Sequence, residues 1–169
     1  MSLPLSAATF LAALVLSAAA ALSQGAAIEF GGMKQDRTLP VEVSADSLTV
    51  NQTNGSAVFS GNVIAIQGEL RLTAAQVSLI YVEGGGDIDT LTATGGVTLV
   101  NATEAAEARE AVYTLRTGSV VMTGNVLLTQ GQNAISGQKL VIDLNTGTGV
   151  MEGRVQTVFT PAKPAAQGN

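Results

Sequence analysis

The sequence predicts an all-β protein in which repeated strand pairs form one continuous wall. From Leu39 onward, Val, Ile, Leu and Thr alternate with polar residues, which is typical of half-buried strands. Gly or Asn interrupts this alternation every few positions, as turns and bulges require. An internal repeat supports the same fold class, because FSGNVIAIQG at residues 59–68 returns as MTGNVLLTQG at residues 122–131.

The amino-terminal segment resembles a secretory leader. No side chain before Glu29 is charged, and Phe10 to Leu22 form an apolar run of 13 residues. This run suits the apolar region of a signal peptide and is shorter than the roughly 20 residues that span a bilayer. We therefore expect a cleaved signal peptide at 1–26, a linker at 27–38 and export to the periplasm.

The cleavage site and the fate of the leader stay open. Signal peptidase could cut after Ala21, Ser23 or Ala26, because small residues stand at all three positions. No Lys or Arg precedes the apolar run, whereas a signal peptide usually carries a basic start. The alternative is an uncleaved anchor from Leu3 to Leu22. In both cases the remainder of the chain lies outside the cytoplasm.

The first strands are predicted in VEVSADSLTV, residues 41–50. Val41 and Val43 share one face, and Leu48 and Val50 share one face after a slip at Ala45. Gly-containing pairs and triplets then predict chain reversals further along the sequence. The predicted turns are Asn54-Gly55, Gly84-Gly85-Gly86, Gly95-Gly96 and Thr146-Gly147.

The repeat extends through the whole domain, from 39 to 159. A Gly-x-Val triplet recurs with spacings of 34, 29 and 29 residues, beginning at Gly61, Gly95, Gly124 and Gly153. A short strand begins 16 residues before three of these glycines and 21 residues before Gly95, where GGGDI can form a longer turn. Each copy is too small to bury its own apolar face, so the copies must stack into one wall.

Two segments do not follow the repeat clearly. NATEAAEAREAVY, residues 101–113, is rich in Ala and Glu and has high helix propensity. The repeat predicts a strand from Val112 onward, and we expect a loop or a short helical turn at 102–107. The Pro- and Ala-rich tail at 160–169 is predicted to be disordered.

The repeated glycines are interpreted as bends in a curved sheet. Gly inside a strand commonly marks a bulge or a close approach, and Asn tolerates turn-like backbone angles. The side chains on the glycine face are apolar: Phe59, Val63, Val97, Leu99, Met122, Val126 and Leu128. Only 4% of residues are aromatic. The wall could therefore enclose an apolar cleft for long acyl chains, or its side chains could fill a sandwich core, and the residues alone leave both possibilities open.

The composition excludes most enzymatic chemistry. The chain has no Cys, His or Trp, which rules out a thiolate nucleophile, an imidazole base and a tetrahedral zinc site. Glu83, Asp87 and Asp89 surround three glycines but lack the spacing of a calcium loop. We expect no catalytic residue, no metal and no cofactor. The net charge of −5 also argues against binding of nucleic acid.

Basic side chains recur near the polar ends of the predicted strands. They are Arg71, Arg109 and Lys139. These residues could contact anionic head groups, or they could form a solvated rim.

Three stretches resemble the OstA-like family of LptA-type periplasmic lipopolysaccharide-transport proteins. They are PVEVSADSLTV, FSGNVIAIQGELRLTAAQVSLIY and VVMTGNVLLTQGQNAISGQKLVIDL, and the resemblance runs from about Leu39 to Phe159. It implies an open antiparallel β-jellyroll with a V-shaped apolar interior. It also implies modules that stack head to tail and pass lipopolysaccharide, with its acyl chains inside, from the inner membrane to the outer-membrane translocon. An inner-membrane-anchored jellyroll would be the partner at the other end.

The resemblance assigns the lining of that interior to particular residues. Carried onto this sequence, the lining falls on Val41, Val43, Leu48, Val50, Phe59, Val63, Leu99, Tyr113 and Leu115, and the period-two pattern adds Met122 and Val126. The acidic domain argues against a strong phosphate clamp on lipid A. Two alternatives remain: a self-assembling β-solenoid scaffold without a ligand, and the membrane-anchored partner of the same transport system.

Overall fold

The computed structural model describes residues 26–29, 33, 36, 38–53, 55–84 and 86–160. The predicted signal peptide and the alternative anchor therefore lie outside the described residues, except for Ala26. The predicted tail lies outside them as well, except for Thr160.

The described residues form eleven strands and no helix. The strands are β1 Ala26–Glu29, β2 Glu42–Ser44, β3 Ser47–Asn51, β4 Ser56–Gln67, β5 Leu70–Tyr81, β6 Ile88–Val100, β7 Glu104–Thr114, β8 Ser119–Gln130, β9 Asn133–Asp143, β10 Thr148–Glu152 and β11 Gln156–Val158. This part of the chain contains no apolar helix of membrane-crossing length.

All eleven strands belong to one antiparallel sheet, which confirms the predicted continuous wall. Its order is β1-β10-β9-β8-β7-β6-β5-β4-β2, while β3 also pairs with β4 and β11 also pairs with β9. Strands β4 to β10 follow one another as a meander. The predicted open, antiparallel, all-β fold is therefore confirmed.

A line of β-bulges crosses the sheet and bends its long strands, β4 to β9, near their middle. On β4, β6 and β8, two consecutive residues of positive φ face a single residue of the neighbouring strand, and a fourth such pair lies between β10 and β11 opposite β9. We call this the bulge line; its paired residues are Gly61-Asn62, Gly95-Gly96, Gly124-Asn125 and Gly153-Arg154. The predicted bends at the four repeated glycines are confirmed.

Glycine is required on the bulge line because a neighbouring side chain covers its Cα atom. A Cβ atom on Gly95 would lie 2.6 Å from the Cβ of Ala75, and one on Gly124 would lie 3.0 Å from the Cβ of Arg109. Asp46 and Gln138 cover Gly61 and Gly153 in the same way. Ala75, Arg109 and Gln138 lie on β5, β7 and β9, and Asp46 lies between β2 and β3. The close approach is therefore repeated across the sheet.

The bulge line also determines which residues point inward. The strands with the paired residues keep their alternation, so Val63 of β4 and Val97 of β6 are buried as the period-two pattern predicts. On the strands between them, which contribute one residue to each bulge, the alternation of buried and exposed side chains shifts by one residue at the bulge. In β5, for example, Leu70, Leu72 and Ala74 are buried before the bulge line, and Val77 and Leu79 are buried after it.

Three local predictions are wrong. Glu104–Glu107 is neither a loop nor a helical turn, because β7 pairs with β6 and β8 along that stretch, and this pairing overrides helix propensity. Gly95-Gly96 is a bulge inside β6 and not a chain reversal. The five additional residues of the second repeat are shared between the turn at 82–87 and longer strands beside it.

Of the predicted linker at 27–38, the structure describes residues 27–29, 33, 36 and 38. Its first residues belong to β1, which pairs with β10 at the edge of the sheet. Ile28 packs against the core, and Met33 is 1% exposed. Ile28 and Met33 thus attach two described positions of this segment to the core.

Replacing a bulge-line glycine should cost far more stability than replacing a glycine in a turn. For Gly95→Ala, the strained φ of +84° contributes about 1–2 kcal/mol and the contact with Ala75 about 1–3 kcal/mol. We expect a loss of about 2–5 kcal/mol in the free energy of unfolding, measured by urea denaturation. Gly86→Ala is the control, because its Cβ would meet open space, and it should change stability by less than about 0.5 kcal/mol. Equal effects would contradict the bulge-line argument.

Candidate functional site

The candidate site is the apolar interior, which we define as the inner faces of the two sheet halves on either side of the bulge line. Leu72 and Leu99 from one half and Leu91 and Val120 from the other line a common cavity. All four side chains are at least nine-tenths buried. The bend therefore brings the two halves face to face, as in a jellyroll.

Two linked hydrogen bonds, one buried and one partly buried, connect the two halves. The Tyr113 hydroxyl of β7 donates to Oε1 of Gln67 at the end of β4, over 3.0 Å. Nε2 of Gln67 donates to the carbonyl oxygen of Leu39 over 2.9 Å. Gln67 and Tyr113 are only 5% and 6% exposed. This link holds β7, β4 and the segment before β2 together.

A turn before β2 positions the Leu39 carbonyl. The backbone N–H and the hydroxyl of Thr38 both donate to Oδ1 of Asp36, and the Leu39 N–H donates to the Asp36 carbonyl. The hydroxyl bond, followed by the backbone bond, lowers the pKa of Asp36 from its ordinary value of 3.8. Ionised Asp36 therefore stabilises this turn above pH 3.8, and the stabilisation is lost as the pH falls through the lowered pKa.

Little free space remains in the interior behind this link. The cavity lined by Leu72, Leu91, Leu99 and Tyr113 has a volume of about 30 Å³, enough for a water molecule or two but far below the roughly 300 Å³ of a ligand pocket. In front of the link, an open cleft of about 520 Å³ lies between Leu39, Val82, Leu115 and their neighbours. Gln67 borders both spaces.

The inner face reaches solvent at the β3 edge of the sheet. Leu48 and Val50 lie opposite Phe59 and Ala57 of β4, which places them on the inner side. They are nevertheless 53% and 59% exposed, because no strand lies beyond β3 in the described residues. Two adjacent apolar side chains thus continue the interior to an open edge.

The predicted site residues fall into three groups. Five are buried in the core, namely Val63, Leu99, Tyr113, Met122 and Val126. Four are partly buried, namely Val41, Val43, Phe59 and Leu115. Leu48 and Val50 are exposed. Val41, Leu99 and Tyr113 share the small cavity, and Val41 and Leu115 also line the open cleft.

Sequence reasoning missed Gln67 and several cavity-lining leucines. Leu70 and Leu72 alternate with polar residues, and this signal is visible in LRLTA. Leu91 stands eight residues before Leu99 on β6, with the bulge between them. Gln67 carries no such signal, because its role depends on Tyr113, 46 residues away in the chain.

In the part of the chain that the structure describes, the acidic and basic residues considered as metal ligands or head-group contacts do not form a common site. No three acidic side chains come together there as metal ligands. Nζ of Lys139 lies 3.2 Å from Oε2 of Glu152, and the stem of Arg109 covers Gly124. Arg71 is exposed. None of these three basic residues lines the open cleft.

Comparison with known proteins places this architecture among transport proteins. An uncharacterised protein of Rhizobium meliloti is 29% identical over 114 residues, which cover 63% of this chain and 61% of that protein. The lipopolysaccharide export system protein LptH of Pseudomonas aeruginosa is 34% identical over 82 residues, which cover 48% of this chain and 45% of LptH. The LPS-assembly protein LptD of Yersinia pestis is 45% identical over 62 residues, which cover 35% of this chain and 8% of LptD. The chain thus spans less than two thirds of these relatives.

A solved structure has the same fold. LptH of Pseudomonas aeruginosa, described as the LptA-homologous periplasmic component of the lipopolysaccharide transport device, superimposes with a TM-score of 0.67 at 23% identity. The match covers 75% of this chain and 99% of the LptH chain. The family described as LptA/(LptD N-terminal domain) LPS transport protein matches residues 42–148, which is more than half of the chain. The predicted family resemblance is therefore confirmed, and the protein belongs to this lipopolysaccharide-transport family.

Proposed function

We propose that the protein is a periplasmic carrier that binds lipopolysaccharide through its acyl chains and forms part of a bridge from the inner membrane to the outer-membrane translocon. The observation that carries this proposal is the apolar interior, which continues to solvent at Leu48 and Val50. Such an interior suits long hydrocarbon chains. Membership of a lipopolysaccharide-transport family supports the same ligand.

The energetics favour recognition of acyl chains over recognition of phosphates. Burying one CH₂ group contributes about 0.8 kcal/mol, so a chain of about a dozen methylenes contributes on the order of 10 kcal/mol before ordering costs. The net charge of −5 disfavours an anionic head group, but a solvent-exposed charge pair contributes only about 1 kcal/mol. Acyl burial therefore outweighs the charge repulsion.

The proposed carrier has no catalytic role. The chain lacks His and Cys, and among the described residues the buried polar side chains are Gln67 and Glu104. Gln67 is engaged in the link to Tyr113, and Glu104 accepts a hydrogen bond from Gln130 over 2.8 Å. Neither arrangement pairs a nucleophile with a base.

Loading an acyl chain requires the two sheet halves to separate. The cavity of about 30 Å³ is too small for an acyl chain, and the Tyr113–Gln67–Leu39 link lies between this cavity and the open cleft. We infer that the link opens during loading, with the bend at the bulge line changing its angle. The exposed pair Leu48 and Val50 gives the first apolar contact.

The sheet edges support head-to-tail assembly. β2 and β3 form one edge and lack a partner on their outer side in the described structure, and β11 lacks one at the other edge. Exposed strand edges are templates for pairing with another chain. A second copy, the inner-membrane-anchored jellyroll and the amino-terminal jellyroll of the translocon are the proposed partners.

A ligand-free scaffold is the second candidate. The small volume of the cavity favours it, because the apolar side chains largely fill the space between the sheet halves. In that case the same edges would assemble the protein, and the interior would stay dry.

A photo-crosslinker on β3 should distinguish the carrier from the scaffold. With benzoylphenylalanine at Leu48, on the inner side of the strand, we expect ultraviolet light to attach lipopolysaccharide in cells, detected by immunoblotting. Thr49 is the matched control, because it is equally exposed and alternates to the outer side. Leu99 and Tyr113 test the deeper interior. Absence of lipopolysaccharide at Leu48, Leu99 and Tyr113 would support the scaffold, and equal capture at Thr49 would contradict the inner route.

Removing one hydroxyl should make the interior easier to open. Tyr113→Phe loses the hydrogen bond to Gln67, which should lower the free energy of unfolding by about 1 kcal/mol. If loading requires this link to open, the apparent affinity for lipopolysaccharide should rise by up to about fivefold. Tyr81→Phe is the control, since no hydrogen bond of the Tyr81 hydroxyl occurs among the described residues and its ring is partly buried. Weaker binding by Tyr113→Phe than by Tyr81→Phe would contradict the opening step.

A further inference from the structure

The amino-terminal strand β1 covers the β10 half of one sheet edge. β1 pairs only with β10, and its four residues lie antiparallel to it. The paired Cα atoms are Ala26–Met151, Ala27–Val150, Ile28–Gly149 and Glu29–Thr148. At the opposite edge, β2 and β3 have no strand beyond them among the described residues. The two edges of the sheet are therefore unequally protected.

The bulge line specifies how a second copy would pair with this edge. Within the sheet, the residue before each bulge pairs with the residue that follows the covering position on the next strand: Ser60 with Gln76, Thr94 with Glu110, and Thr123 with Lys139. Glu152 precedes the last bulge, and Ser47 follows Asp46, the first covering residue. Continuing the pattern pairs Glu152 with Ser47 of the second copy.

In this pairing register, β1 occupies the position that β3 of the second copy would take. Counting along the strands from Glu152, the pairs become Met151 with Leu48, Val150 with Thr49, Gly149 with Val50 and Thr148 with Asn51 of the second copy. These are the four positions that β1 occupies, in the same direction. Ile28 lies where Val50 of the second copy would lie, so one β-branched apolar residue replaces another.

We propose that β1 is an autoinhibitory edge strand, which must leave β10 before β3 of a second copy can bind there. The inference rests on the head-to-tail assembly proposed above and adds its regulation and its pairing register. β1 prevents growth of the sheet at one edge only. A free molecule therefore keeps β2 and β3 available and withholds β10.

The competition between β1 and the second copy is balanced by two opposing effects. β1 belongs to the same chain, which gives it an effective concentration in the millimolar range. The second copy offers more pairing, because its β3 and β2 would cover the five residues of β10 and the three of β11, against four positions for β1. It would also cover Leu48 and Val50, which are exposed in the free molecule.

Charges at the bulge line favour the same pairing register. Asp46 of the second copy would face Gly153-Arg154, as Ala75 faces Gly61-Asn62 within the molecule. Arg154 is exposed, and no carboxylate lies within ion-pair distance of it in the described residues. Its opposite charge therefore suits Asp46 at this position.

A reversible disulfide tests the proposal in the exported protein, after its mass has shown that β1 is retained. The natural chain has no Cys, so Ala27→Cys with Val150→Cys introduces the only thiols. The two positions are paired Cα atoms of adjacent antiparallel strands, whose spacing fits disulfide geometry. Light scattering over a concentration series should show a monomer when the variant is oxidised and concentration-dependent oligomers after reduction.

A variant that weakens the attachment of β1 to the sheet should have the opposite effect on assembly. Ile28→Asp removes the apolar contact of β1 with the core, and assembly should then begin at a concentration at least about tenfold lower than in the unmodified protein. Equal assembly of the oxidised and reduced disulfide variants would overturn the role of β1 while leaving head-to-tail assembly intact. A monomer under all conditions, including Ile28→Asp, would overturn the assembly and the inference together. A mass showing that the exported chain begins after Glu29 would overturn the inference alone.

A second cysteine pair tests the pairing register. Thr49→Cys with Val150→Cys should form disulfide-linked oligomers on oxidation, read on a non-reducing gel, because these positions pair between copies and stand on opposite edges of one sheet. Thr49→Cys with Thr148→Cys is the control, two residues out of register, where diagonal neighbours are about 7–8 Å apart. Stronger crosslinking by the control would overturn the proposed register.

Discussion

The close approach of neighbouring strands over glycine at the bulge line is the constraint on which the rest of the structure depends. A covering side chain lies against the Cα atom of the next strand, and the two residues at each bulge take positive φ. Repeated across the sheet, this contact bends all of its long strands at one level. The bend brings Leu99 and Tyr113 from opposite halves to a common cavity. The interior is thus created by the backbone, which explains how a chain with so few aromatic residues can form it.

The repeat in the sequence revealed most of this fold, and the bulge line explains where the prediction failed. Strands that carry the glycine pairs keep a plain alternation, so Val63 and Val126 were assigned correctly to the inner face. The strands between them change face at a single residue, such as Ala75, and nothing in their own composition shows the change. The Ala- and Glu-rich start of β7 failed for a different reason. Its hydrogen-bonded pairing with β6 and β8 outweighs its helix propensity. Such pairing with distant residues is not visible in a short stretch of sequence.

The candidate site was predictable as a surface but not as a closed space. Alternation and family resemblance selected Leu99, Tyr113 and Met122, and the structure places all three inside. Neither could reveal that Tyr113 donates to Gln67, because this bond depends on how far the two halves close. The exposure of Leu48 and Val50 was also not predictable, since it depends on their position at the edge and not on their own residue types. The sequence therefore predicted part of the lining, whereas the bend angle and the edges determine its access.

The free molecule covers part of each surface that the proposed function uses and leaves Leu48 and Val50 exposed. The link between Tyr113 and Gln67 closes the interior, and β1 covers β10. Leu48 and Val50 belong to both surfaces, because they continue the apolar interior and also lie on the strand that would pair with a second copy. Assembly would remove these two side chains from solvent and extend the inner face from one molecule into the next. A short cover on one edge limits unspecific strand pairing, which long exposed edges otherwise promote. In a stack, β3 of the next copy would replace β1 on each β10, so assembly would lengthen the same interior that is proposed to receive the acyl chain.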